Sequence, residues 1–193
     1  MVFKAIKFVA DAHQGHYRKG TNIPYISHLM NVMKILCEYG CDKEIVTAGI
    51  LHDVVDDTSV TIDQVEQIFG KRVAEMVEGA SEPGQIRNGK DEKTSWLLRK
   101  QHTIEFITNE ATLDQLLVSC ADKFDNAETI KQDYALKGER LWERFSSPKS
   151  NQEWYYTSVA TAFEQRSKEF GEPLIQLSQR FTKTVNEVFL KND

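Results

Sequence analysis

Leu51-His52-Asp53-Val54-Val55-Asp56-Asp57-Thr58 sets one imidazole and three carboxylates into an otherwise apolar segment. Ile45, Val46, Ala48, Ile50, Leu51, Val54 and Val55 mark that segment as a buried helix. Buried carboxylates are costly unless each is paired or bound to a cation. A helix turns about 100° per residue, so His52, Asp53, Asp56 and Asp57 would cover roughly 140° of one side. His52 and Asp56 would stack at i,i+4, as would Asp53 and Asp57. Such an arrangement calls for a metal ion and points to hydrolytic chemistry.

The remaining pattern is also helical. Apolar residues from Met1 to His13 suit a first helix, and Gly15, Gly20 and Pro24 mark a loop. Leu29, Val32, Met33, Leu36 and Cys37 form the stripe of a helix over about Tyr25 to Glu38. Asp42 is a plausible N-cap for the helix that carries His52. Thr61-Ile62-Asp63-Gln64 and Thr112-Leu113-Asp114-Gln115 are capping-box patterns, and Gly70 suits a helix end. Glu82 to Lys93 reads as a long loop. Helices are expected over Ser95 to Thr108, Leu116 to Tyr134 and Trp154 to Phe170, with a last amphipathic one after Gly171 and Pro173. No stretch sustains strand alternation, so the fold class is all-α.

A chain of 193 residues is long enough to bury a core without disulfides. Its three cysteines are odd in number and form no CxxC pair, which fits a reducing cytoplasm. The net charge of −5 argues against general nucleic-acid binding. No run of 18 apolar residues is present, so no membrane span is expected. Residues 1–170 are expected to form the catalytic body. Residues 171–193 should be a helix packed on that body or joining two copies of the chain.

His28, the His52-Asp53 pair and the distant Asp122 say little one at a time. Together, on an all-helical chain, they resemble the HD phosphohydrolase superfamily, and the expected fold is its helical bundle. There the four side chains bind a divalent metal. Two imidazoles and two carboxylates suit Mn²⁺, Fe²⁺ or Zn²⁺ better than Mg²⁺, which favours oxygen.

The resemblance is narrower still. His13-Gln14-Gly15-His16-Tyr17-Arg18-Lys19, followed by Gly20 and Pro24-Tyr25-Ile26-Ser27-His28, looks like the opening of the RelA/SpoT hydrolase domain. Leu51 to Thr58 looks like its L-H-D-x-x-E-D-T block. Thr61, Phe69-Gly70, Val73 and Val77 match the continuation, and Ala121-Asp122-Lys123-Phe124-Asp125-Asn126 is similar to its A-D-K-L-x-N motif. The match covers about residues 5 to 130. Trp154-Tyr155-Tyr156 resembles the aromatic segment of small stand-alone members.

This resemblance implies a cytoplasmic hydrolase of guanosine tetra- and pentaphosphate, (p)ppGpp, that lowers alarmone levels in the stringent response. Its products would be GDP or GTP plus pyrophosphate, and its usual metal Mn²⁺. It makes His28, His52, Asp53 and Asp122 the metal ligands and Asp56 and Asp57 the catalytic pair. Arg18 and Lys19 fall on the family's basic pair, suited to guanine stacking and phosphate neutralisation. Tyr25, Asn126, Arg99, Lys100, Trp154 and Tyr155 are the further candidates for substrate contact. Two positions depart from the pattern. Asp56 replaces the usual Glu and is shorter by one methylene, roughly 1.5 Å; His16 stands at the usual Gln. Two alternatives stay open: a phosphohydrolase for another nucleotide such as NADPH or a nucleoside phosphate, and a catalytically weakened nucleotide sensor.

Overall fold

The structure is a computed structural model that describes residues 1–81 and 92–190. Every regular element among them is helical. In chain order these are α1 (Val2–Ala12), α2 (Ile26–Glu38), α3 (Lys43–Leu51), α4 (Val54–Asp57), α5 (Ile62–Phe69) and α6 (Lys71–Ala80). There follow α7 (Glu92–Asn109), α8 (Leu113–Lys137), a 3₁₀ helix (Gly138–Arg144), α9 (Lys149–Phe170) and α10 (Leu174–Phe189). The all-α expectation holds. Most of the loop expected over 82–93 lies outside the described residues, and helix is already present at Glu92. The chain divides into two compact units: Met1–Ser81 with Thr112–Asp122, and Glu82–Ala111 with Lys123–Asp193.

The first unit is built around α3. Asp42 caps it, accepting from the backbone N–H groups of Glu44 at 2.8 Å and Ile45 at 3.1 Å. Every residue from Ile45 to Leu51 is buried, and α3 packs against α1, α2 and α6. The approach to α2 depends on Gly49. A Cβ there would sit 2.3 Å from Leu36 Cδ1 and 3.3 Å from Val32 Cγ1, both on buried side chains. Gly49→Ala should therefore push α3 off α2, which carries His28. We expect a stability loss of about 1–3 kcal/mol, typical of overpacking, seen as a lower thermal midpoint. An unchanged midpoint would contradict this close approach.

The structure corrects one expectation. Leu51 to Thr58 is not a continuous helix: α3 stops at Leu51, His52 and Asp53 form a turn, and α4 starts at Val54. Asp53 has φ −98° and ψ −2°, away from regular helix. The His52 Nδ1–H donates to Gly49 O at 2.8 Å, using an acceptor in the last turn of α3. Local side-chain bonding of this kind competes with helix continuation.

The start of α8 returns to this unit and is pinned at several points. Thr112 and Gln115 form the expected capping box, with bonds of 3.0 and 3.4 Å. Gln115 also donates to Glu75 O at 2.9 Å, over the space left by Gly79. Arg72 holds Asp114 at 2.8 Å while gripping Asp42 at 2.8 Å and Glu44 at 2.9 Å. Asp122 lies about two turns further along α8.

In the second unit, α10 lays its apolar stripe of Leu174, Leu177, Phe181, Val185 and Val188 into the core. Phe181 meets Phe163 and Tyr156 of α9 with ring centroids 5.9 and 6.4 Å apart. Arg166, also on α9 and buried, donates to Ile107 O and Ala111 O, both at 2.9 Å. It thereby satisfies one carbonyl of the last turn of α7 and one in the connection to α8.

Candidate metal centre

Four side chains from three stretches of the first unit converge. His28 comes from the buried stripe of α2, His52 and Asp53 from the turn after α3, and Asp122 from α8. The two Nε2 atoms of His28 and His52 are 3.3 Å apart. Asp53 Oδ2 is 2.9 Å from His52 Nε2 and 3.6 Å from His28 Nε2. Asp122 Oδ1 is 3.2 Å from His28 Nε2 and 3.5 Å from His52 Nε2. Both imidazoles are about 1% exposed.

The donor set fits a divalent cation. Because Nδ1 of His52 donates to a carbonyl, its Nε2 is a lone-pair acceptor in the neutral ring. Two carboxylate oxygens and this nitrogen then crowd one small space, an excess of acceptors that only positive charge resolves. Donors bound to one metal at roughly 2.0–2.2 Å lie about 3 Å from each other, in the range seen here. The protonation equilibria show the same demand. Burial opposes a charged His52, but Asp53 and Asp122 outweigh it and hold its pKa well above the ordinary value. Burial would raise the Asp53 carboxyl, yet His52 and His28 hold it well below the usual range.

Asp56 and Asp57 occupy α4, next to the turn. Asp56 is half-buried and Asp57 exposed. Asp57 acts electrostatically on Tyr25, whose hydroxyl is kept protonated chiefly by burial, then by Asp53 and Asp57.

Arg18 and Lys19 sit on a closed turn. Its legs are joined by the Tyr17–Pro24 bridge, by Arg18 N–H to Ile23 O at 2.9 Å, and by Tyr25 N–H to His16 O at 2.9 Å. Gly20 adopts φ +67° there, a conformation that suits glycine. Arg18 lies over the Tyr25 ring, 5.6 Å from its centroid. A cavity of about 180 Å³ opens beside this turn, lined by residues that include His13, His16, Tyr17, Pro24 and Tyr25.

One participant was given no role in the sequence reading. His13 is buried, stacks on Tyr25 with centroids 5.2 Å apart, and lies with its Nδ1 3.3 Å from that of His16. Burial lowers its pKa to about 4, against the pull of Asp53. Its Nε2 makes no hydrogen bond with the described residues. The signal was available: Ala5, Val9 and His13 follow each other at i,i+4, and all three are buried.

The other candidates belong to the second unit. Arg99 and Lys100 are half-buried on α7, and Asn126 is half-buried on α8. Lys100 lies 4.9 Å from the centroid of the buried Tyr155 ring. Trp96 of α7 meets Trp154 and Tyr155 with ring centroids 6.5 and 6.3 Å apart.

Over 127 residues the chain is 32% identical to the Aquifex aeolicus guanosine-3′,5′-bis(diphosphate) 3′-pyrophosphohydrolase, which spans 66% of this chain and 17% of that protein. It is 36% identical over 120 residues to the bifunctional (p)ppGpp synthase/hydrolase SpoT of Escherichia coli, 62% of this chain and 16% of that one. The chain thus spans less than a fifth of each of these two relatives. A crystal structure of a Listeria monocytogenes protein superimposes with a TM-score of 0.71 at 30% identity, covering 85% of this chain and 99% of the other. A metazoan SpoT ortholog shares the fold, with a TM-score of 0.73 at 21% identity over 96% and 94% of the two chains. The profile described as HD domain matches residues 5–149, most of the chain. The chain belongs to the HD domain family.

Proposed function

We propose that this chain is a metal-dependent hydrolase that converts (p)ppGpp to GDP or GTP plus pyrophosphate and so lowers alarmone levels. The observation that carries this reading is the convergence of His28, His52, Asp53 and Asp122 in the same unit as Asp56, Asp57 and the Arg18–Lys19 turn. The relatives named for this reaction support the choice of substrate.

His28, His52, Asp53 and Asp122 would hold the cation, with Mn²⁺ the expected ion and Fe²⁺ or Zn²⁺ compatible with two nitrogens and two oxygens. A cation bound there lowers the pKa of water and polarises a phosphoryl oxygen. Asp57, with Asp56, orients the attacking water and accepts its proton. Water oxygen bonds to the phosphorus attached to O3′, the P–O3′ bond breaks, and O3′ leaves as the ribose hydroxyl with the proton that the Asp56–Asp57 pair took from water. Pyrophosphate departs intact. Arg18 and Lys19 neutralise phosphate charge, and the guanidinium of Arg18 offers a flat face to guanine. Asn126, Arg99, Lys100, Trp154 and Tyr155 are the second unit's candidates for nucleotide contact.

Purified protein loaded with Mn²⁺ should convert ppGpp to GDP and pyrophosphate in equal amounts, read by anion-exchange chromatography. Phosphate released from the 5′ side without pyrophosphate would overturn the assignment. So would tight alarmone binding with no turnover in any metal, the behaviour of a sensor. A parallel assay with NADPH separates the other nucleotide reading.

A further inference from the structure

The Tyr25 hydroxyl donates to Asp53 Oδ2 at 2.5 Å. That oxygen is the one facing both imidazole nitrogens, at 2.9 and 3.6 Å. A carboxylate oxygen has two lone pairs, so it can accept from Tyr25 and still present electrons to a cation. The tyrosine ring is itself held. His13 stacks on it at 16° between planes, His28 meets it edge-on with centroids 5.7 Å apart, and Arg18 lies 5.6 Å from its centroid. Two of the ring's neighbours thus belong to the α1 end and the basic turn, while its hydroxyl reaches the turn after α3.

We propose that Tyr25 is a positioning residue for the metal centre, orienting Asp53 Oδ2 toward His28 and His52 through its hydroxyl. This rests on the metal-hydrolase reading. It differs from the substrate contact expected from the sequence, because the hydroxyl's one proton is committed to Asp53. Freed of that bond, Asp53 would rotate about its side-chain bonds and offer its oxygen in several directions. Partners of this kind typically govern metal affinity by 10–100-fold.

Tyr25→Phe removes the hydroxyl and keeps the ring for His13, His28 and Arg18. Mn²⁺ titrated calorimetrically into nucleotide-free protein should bind the variant about 10-fold more weakly than wild type. The visible absorption of the Co²⁺-loaded protein should shift as well. Equal affinity and an identical Co²⁺ spectrum, with only the KM for ppGpp raised, would overturn the proposal and make Tyr25 a substrate contact. Should the Phe variant fail to fold, the Cζ NMR resonance of Tyr25 in wild type gives the second reading. Zn²⁺ addition should move it, and an unmoved resonance would overturn the coupling. Wild type that binds no divalent metal at all would overturn the parent reading as well, so the two failures are distinguishable.

Discussion

Asp57→Asn should lower ppGpp turnover by about 1000-fold, within the range a positioned general base contributes. Asn has nearly the same shape and cannot take a proton from water. Asp57 is exposed on α4, so the change introduces no buried polar group. Mn²⁺ affinity and thermal midpoint should stay near wild type, because Asp57 is not among the four converging side chains. Steady-state GDP release and calorimetric titration measure the two sides of this claim. Turnover within about tenfold of wild type would remove Asp57 from the mechanism. Asp56 gives a companion test. A reach shorter by roughly 1.5 Å can cost on the order of 100-fold in rate, so Asp56→Glu is expected to speed turnover if the shorter acid is limiting.

The second large effect concerns the cation. At a free concentration of 100 times Kd, a metal that binds only the folded state stabilises it by about 2.7 kcal/mol. For a chain of this length that is a rise in Tm of roughly 5–10 °C. His52→Ala takes away a nitrogen that lies 2.9 Å from Asp53 and 3.5 Å from Asp122, and leaves those carboxylates facing one imidazole. Calorimetric scans should then show almost no rise in Tm with Mn²⁺, and turnover should fall to background. A full Mn²⁺-induced rise in the variant would show that the ion binds elsewhere. Without metal the variant should also be less stable than wild type, since Gly49 O loses its donor and the carboxylates lose a partner.

Much of this fold was legible from local chemistry. The run from Ile45 to Leu51 has too few polar residues to face water, and it is buried throughout. The capping boxes at Thr61 and Thr112 form because a Ser/Thr hydroxyl and a Gln three residues on satisfy each other's backbone donors. The break at His52-Asp53 was not legible, because apolar periodicity does not register one imidazole bonding back to Gly49 O. Nor was the Tyr25–Asp53 bond, which joins residues 28 positions apart. That Asp122 belongs with His28 and His52 was readable only through resemblance to known motifs. Nothing local in Leu116 to Ala121 says that the next residue meets two histidines. His13 had a local signal in its i,i+4 spacing from Ala5 and Val9, overshadowed by the motif around it.

The placement of Asp122 bears on how the chain assembles. The first unit takes its opening 81 residues in one piece and then waits for Thr112–Asp122. During synthesis the three earlier side chains are made well before the fourth. Joining Asp53 to Asp122 closes a loop of roughly 70 residues, whose entropy cost is about 4 kcal/mol beyond a constant. A cation shared by the early and late segments would offset part of that cost at the moment of closure. The ion would then be a clasp as well as a reagent. Its scarcity would be felt first by new chains still closing, and only later by finished ones.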